Sequence, residues 1–265
     1  MKIKMSLVLS MIGICLLLFG CGNSKNEKNQ TDATKEIEKS GKLVVGLDDT
    51  FAPMSYRDNK GEIVGFDVDL AKEVGKKLNL KIDFQAIDWA MKETELNAGN
   101  IDLIWNGYTI TPERKSKVAF SDAYLENSQS IIVLKKSEIR TKKELAGKVV
   151  AAQQASSAVD AVSKKELATF KNKELIEFPS NNDVFNDLES KRSDAIVVDE
   201  VLARYYTKLK GADTYRTLED TFGKEEYGVG LRKNDKKLKM KLNEALKELK
   251  SDGTYDKIYK KWFAE

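Results

Sequence analysis

Two α/β lobes are the fold this sequence predicts from Gly41 onward. Three observations carry that prediction. Short apolar runs alternate with amphipathic helical patterns, the signature of βαβ units on parallel sheets. The alternation comes in two series of similar length, the second starting near Ser130. The chain has 265 residues, enough for two lobes of about 100 to 120 residues each.

The first series opens with Leu43–Leu47, an apolar strand bounded by the Asp48-Asp49 turn. Phe66, Val68, Leu70, Ala71, Val74 and Leu78 recur at helical spacing, with Lys72, Glu73, Lys76 and Lys77 on the opposite face. Lys81 to Ile87 alternates as a strand. Leu96 and Ala98 belong to a helix that stops at Gly99, and Ile101 to Trp105 is the next strand. The second series predicts strands at Ile131–Leu134, Lys148–Ala152, Leu175–Phe178 and Ala195–Val198. Helices are predicted at Ser157–Thr169, Asn182–Leu188 and Val201–Leu209. Tyr227 to Leu231 reads as a last strand, Lys237 to Leu249 as a long amphipathic helix, and Tyr255 to Phe263 as a short aromatic-rich one.

Ahead of this lies an export segment. Lys2 and Lys4 precede an apolar run ending in Leu18-Phe19-Gly20-Cys21. A positive start, a short apolar stretch and a small residue before a cleavage point read as a secretory signal. Cysteine directly after that small residue resembles a bacterial lipoprotein signal, with residues 1–20 removed and Cys21 acylated, for instance by palmitate. An ordinary signal peptide or a membrane anchor is the alternative. Residues 21–40 are polar and nearly free of apolar side chains, and read as a flexible tether, with a weak amphipathic turn around Ile37. The mature chain is then held on the outer face of the cell membrane, where two or more acyl chains give stable attachment.

Composition narrows the function. The chain carries 45 basic and 42 acidic residues; removing Lys2 and Lys4 with the signal leaves 43 against 42. Nothing in that balance points to nucleic acid. The two cysteines are Cys15, lost with the signal, and Cys21, so no disulfide is expected. There is no histidine, which counts against a Ser-His or Cys-His hydrolase and a zinc enzyme. No cofactor or metal is expected.

Three segments carry a resemblance. They are Gly65-Phe66-Asp67-Val68-Asp69-Leu70-Ala71, then Gly107-Tyr108-Thr109-Ile110-Thr111-Pro112-Glu113-Arg114 with Phe120-Ser121-Asp122, and Asp252-Gly253-Thr254-Tyr255 with Lys260-Lys261-Trp262-Phe263. In order and spacing, from about Lys42 to the end, they resemble the family 3 solute-binding proteins of polar amino-acid ABC importers. The resemblance implies a periplasmic binding protein-like II fold. Two Rossmann-like lobes are joined by two hinge crossovers, near Tyr124–Ser128 and Gly223–Tyr227, and the ligand sits in the cleft between them. Lobe 1 is then residues 41–127 plus 224–265, and lobe 2 is 128–223. The implied partners are an amino acid and an importer's permease and ATPase subunits, and the protein is expected to be a monomer.

The same resemblance supplies the site. A zwitterion in a closed cleft needs both charges met, because an unpaired buried charge is costly. Arg114 offers a planar donor fork to the α-carboxylate, and Thr109 and Thr111 before it can add donors, with Gly107 a further ligand-site position of the same motif; the alternative for Arg114 is a surface pair with Glu113. Asp199, at a strand end in the second lobe, is the candidate for the α-ammonium; its alternative is an N-cap. Phe51 and Trp89 match positions that sandwich the ligand's side chain, whereas Tyr56 and Trp105 read as core. Asp48 matches a position facing the ligand's far end, and the carbonyl of Asn106 is a further acceptor. Gln153, Ser156 and Ser157 match a loop that is often glycine-rich, and this chain departs from the pattern there with alanine and serine.

Asp49 and Glu200 have no clear direction. The acidic lip and two aromatics suit arginine or lysine; glutamine and cystine stay open, and an acidic amino acid fits less well. An enzyme on the same fold, such as a dehydratase of amino-acid-like substrates, and a sensory ectodomain are the rival readings.

Overall fold

The computed structural model describes residues 31–263. The export signal over 1–20 and Cys21 lie outside the described residues. The first element is α1 (Thr34–Ser40), which corrects the expectation of a flexible tether running to residue 40. Ile37 is buried against the main core, Asp32 accepts the N–H of Lys237 at 2.9 Å, and Asp235 accepts the N–H of Ala33. Apolar burial and these long-range bonds order a stretch whose local sequence is merely polar. Gly41, at φ +68°, ends the helix.

The first lobe continues with β1 (Lys42–Leu47), the small antiparallel strands β2 (Thr50–Phe51), β3 (Ser55–Arg57) and β4 (Ile63–Val64), and α2 (Phe66–Leu78). Then come β5 (Lys81–Ala86), α3 (Lys92–Ala98), β6 (Leu103–Ile104), α4 (Pro112–Lys117) and β7 (Ala119–Phe120). β8 (Leu125–Leu134) leads into the second lobe, built from β9 (Val150–Gln153), α5 (Ser157–Ala161), α6 (Lys164–Leu167), β10 (Ile176–Phe178), α7 (Asn181–Glu189), β11 (Ala195–Asp199) and α8 (Glu200–Lys210). β12 (Tyr215–Tyr227) returns, followed by β13 (Gly230–Leu231), α9 (Lys236–Ser251) and α10 (Thr254–Phe263).

Two five-stranded sheets result, in the orders β5-β1-β6-β13-β7 and β10-β9-β11-β8-β12. In the first, β1 is parallel to β5 and β6, as the alternation predicts, and β13 joins antiparallel from the far end of the chain. In the second, β9 is parallel to β10 and β11. β8 and β12 pair antiparallel from Leu125–Tyr227 to Leu134–Tyr215, and so form the two crossovers side by side. The expected lobe boundaries, 127/128 and 223/224, fall inside these two strands.

Three details differ from the sequence reading. The helix expected over Ser157–Thr169 is two short ones, because Ser163 caps α6 and Glu166 reaches back to the Ser163 N–H at 2.9 Å. The strand expected from Tyr227 to Leu231 is split. Tyr227 ends β12, and the chain turns at Gly228, where a Cβ would come within 2.9 Å of Ile110, before β13. β12 itself, of which the sequence reading had only the end at Tyr227, is exposed and charged over much of its length, with Tyr215, Leu218 and Tyr227 buried.

α2, α9 and α10 cover one face of the first sheet, with Phe66 against Phe263 at 5.0 Å between ring centres. In the second lobe Phe185 stacks on Tyr206 at 3.8 Å. A fully buried side chain such as Phe66 or Phe185 contributes roughly 1.5–3 kcal/mol. Trp105 is core, as expected; Tyr56 is half-buried against Tyr205 and Trp262. Among the described residues no helix is long and apolar enough to cross a membrane.

Candidate ligand-binding site

The site forms where strand ends of the two sheets face each other. β1 ends in Asp48. Its Oδ1 accepts from the Thr50 N–H at 2.8 Å and the Thr50 hydroxyl at 2.7 Å, and its own N–H is held by the Asn106 side chain. Asn106 in turn donates to Ser55 at 2.8 Å, so its side chain is committed here. Burial raises the Asp48 carboxyl above its ordinary range. Phe51 follows on β2, and Trp89 opens a short 3₁₀ turn capped by Asp88, which accepts the Ala90 N–H at 2.8 Å. Both aromatics are buried at the cleft.

Gly107 sits at φ +51°, and a Cβ there would meet Phe51 at 2.5 Å. Its N–H donates to Asp67 at 2.7 Å, and full burial pushes that carboxyl up to about 7. The tight turn aims the next residues at the cleft. Thr111 caps α4 by accepting the Arg114 N–H at 3.1 Å, which fixes Arg114 in the first turn. The guanidinium is only 4 % exposed and lies 4.8 Å over the Tyr108 ring. It donates to the carbonyls of Thr109 at 3.2 Å and, across the cleft, Ala155 at 3.3 Å. Glu113 pairs with Lys117 instead, and among the described residues no carboxylate pairs with Arg114.

From the second lobe, Gln153 ends β9 and donates to Asp48 across the cleft. Its amide is oriented by Asn181, which donates to Gln153 Oε1 at 3.0 Å. Ser156 donates to the Gln153 carbonyl at 2.7 Å, and Ser157 lies 3.0 Å from the Thr109 hydroxyl of the other lobe. Asp199 ends β11. It precedes α8 but makes no side-chain cap; it accepts instead from Asn127 at 2.6 Å, Gln129 at 3.0 Å and Tyr227 at 2.6 Å. Burial first, and then the neighbouring Glu225 charge, hold its carboxyl well above the usual range.

Ten of the eleven residues predicted for the ligand surround one small cavity of about 20 Å³; the eleventh, Thr109, joins it through Ser157. Asp49 and Glu200 turn away, to Arg57 and to Arg204 with Ser128. Sequence reasoning missed Glu225 and Lys92. Lys92 is buried, donates to the carbonyls of Trp89 and Ala155 at 3.0 Å each, and lies 4.9 Å from the Trp89 ring. Burial pulls its ammonium down to about 8. Both sit in charged runs that carry no sequence signal. Tyr108, under Arg114, was within reach, since it belongs to the Gly107–Arg114 motif.

The family model of the bacterial extracellular solute-binding proteins, family 3, matches residues 43–265. The chain belongs to this family. The resemblance carried by the three segments and the two-lobed fold it implied are thereby borne out. This solute-binding protein is 32% identical over 276 residues to the ABC transporter glutamine-binding protein GlnH of Bacillus subtilis (strain 168), covering all of this chain and 98% of the relative. It is 35% identical to the lysine/arginine/ornithine-binding periplasmic protein of Escherichia coli (strain K12), over 83% of this chain and 86% of that one. Its fold matches, with a TM-score of 0.84 and 37% identity, an ABC uptake transporter substrate binding protein from Streptococcus pneumoniae with bound histidine. That match covers 88% of this chain and 97% of the other.

Proposed function

We propose that the protein captures a polar L-amino acid outside the cytoplasmic membrane and delivers it to the permease and ATPase subunits of an ABC importer. One observation carries this reading. Arg114 of the first lobe and Asp199 of the second line the same cavity, and neither forms an ion pair among the described residues. A zwitterion supplies both missing charges at once, its carboxylate to Arg114 and its ammonium to Asp199. Because the two residues belong to different lobes, the ligand's own charges bridge the cleft and favour closure.

The far end of the cavity suggests the class of cargo. Asp48 and the Gln153 amide face it, and Phe51 and Trp89 flank it. A side chain ending in hydrogen-bond donors suits that end, which favours a basic amino acid or glutamine, with cystine as a further option. Relatives that bind glutamine, lysine, arginine or ornithine support the same group. Arg114 is the lone cation lining the cavity, so an acidic side chain lacks a second partner.

The proposed anchor is lipid on Cys21. The proposed tether is then shorter than composition implies, because Asp32, Ala33 and α1 are held on the domain. The test is calorimetric titration of the full chain, in mild detergent and refolded to strip carried ligand, with the twenty amino acids and cystine. Micromolar or tighter binding of one chemical group, with no turnover by mass spectrometry, supports the reading. Silence across the panel removes it.

A further inference from the structure

Three strands meet at the Asp199 end of the cavity. The register sets Gln129 of β8 opposite Asp199 of β11, and Asn127 of β8 opposite Glu225 of β12. Asp199 and Glu225 consequently share their donors. Asn127 Nδ2 lies 2.6 Å from Asp199 Oδ1 and 2.6 Å from Glu225 Oε1. Gln129 Nε2 lies 3.0 Å and 2.8 Å from the same two oxygens. Nitrogens bridging at such lengths hold the two acceptors no more than about 5 Å apart. The cost of this arrangement is visible on the amides. With both nitrogens turned to the acids, Asn127 Oδ1 and Gln129 Oε1 are buried without a donor.

The remaining neighbours do not neutralise a double charge. Tyr227 and Ser157 offer neutral hydroxyls, at 2.6 Å to Asp199 and 3.4 Å to Glu225. Glu200, next in the chain, is turned to Arg204 and Ser128, and Lys224 and Glu126 on the crossover strands are exposed. Among the described residues no cation forms an ion pair with Asp199 or Glu225, and Arg114, whose charge favours the ionised Asp199, sits on the far lobe. Two carboxylates this close and half-buried repel each other, and the pair favours holding one proton until a cation joins them.

We propose that Asp199 and Glu225 work as one proton-binding unit that the ligand's α-ammonium discharges. This rests on the reading of Asp199 as the ammonium acceptor. Before capture the two carboxyls share one proton. On capture the shared O–H bond breaks, its electron pair stays on the carboxylate oxygen, and the proton leaves to solvent while the ammonium takes its place. The raised Asp199 carboxyl agrees in direction. The free form then holds more protons than the complex, so affinity rises with pH, by up to about tenfold per unit where the pair titrates. Glu225 is a positioning residue on a crossover strand, and it ties the charge state of the site to the hinge.

The test is isothermal titration of the full chain with L-glutamine, L-arginine and L-histidine between about pH 5 and 8, at each pH in two buffers whose ionisation enthalpies differ, acetate and piperazine at the acidic end and phosphate and Tris at the basic end. Wild type is expected to release close to one proton per ligand at the acidic end. Glu225→Gln is expected to release clearly less than wild type, because Asp199 keeps its burial but loses the neighbouring charge, with a shallower rise of affinity with pH, and Glu225→Asp to restore release. Binding by wild type with the same enthalpy in both buffers at every pH overturns the proposal, and it does so whether or not Glu225→Gln folds. Proton release by a folded Glu225→Gln equal to wild type overturns it as well. Absence of binding to all three probes and to the full amino-acid panel defeats the proposed function first, and this inference with it.

Discussion

The two ends of the cavity are built in opposite ways. At the Arg114 end one guanidinium lines the cavity and rests on a Tyr108 face and two carbonyl oxygens, all neutral, one of which it shares with Lys92. At the Asp199 end negative charge is in excess, with a second carboxyl sharing the same amide donors. One end lacks an anion and the other has one acid too many. The difference teaches that binding strength and its pH dependence have separate sources, the first concentrated in Arg114 and the second in the acid pair.

Removing the Arg114 guanidinium should have the largest effect. Arg114→Ala should weaken binding of every ligand by about a thousandfold, on the order of 4 kcal/mol, because the ligand's carboxylate is then buried without a partner. Micromolar binding by that variant in calorimetry would mean the carboxylate is held elsewhere. Asp199→Asn should cost less, roughly 10- to 100-fold, because Glu225 remains beside the ammonium. A loss as large as that of Arg114→Ala would show the two ends to be equivalent and the second carboxyl idle.

The closing contacts rank below the charges. Lys92→Met removes an interlobe bond to the Ala155 carbonyl while leaving the cavity lining intact. Stopped-flow should show ligand dissociation about tenfold faster, in line with the worth of a hydrogen bond to a charged group. An unchanged rate would place closure in the ligand's own bridge alone. The smallest change concerns Ala155, which holds φ +53° in the loop that meets both cations. Ala155→Gly should raise stability by about 1 kcal/mol in urea unfolding, with affinity within about twofold of wild type. A destabilised variant would show that the side chain packs rather than strains.

Much of this was legible beforehand. Helical spacing from Phe66 to Leu78 and the apolar run at Leu43–Leu47 gave α2 and β1 nearly to the residue, because burial on one face leaves a period in the sequence. Arg114, Asp199, Asp48, Phe51 and Trp89 were found because the motifs place them at strand ends and helix starts. β12 was largely hidden. Its outward face is charged, its partner β8 lies about eighty residues earlier, and pairing between exposed strands leaves little compositional trace. The buried polar run Asn127–Ser130 was hidden for the related reason that its partners are other polar groups. α1 escaped because a single isoleucine decides its docking.

The sequence by itself determined most of the elements, the family and the residue types that stand at the strand ends, since these follow from local periodicity and short motifs. Only the tertiary structure decided that Asp199 and Glu225 share two amide donors, that Gln153 reaches Asp48, and that Lys92 and Arg114 meet on one carbonyl. These partners lie between 26 and 105 residues apart in the chain or on different lobes. Electrostatic coupling depends on distance and burial in space, and strand register and lobe closure set both.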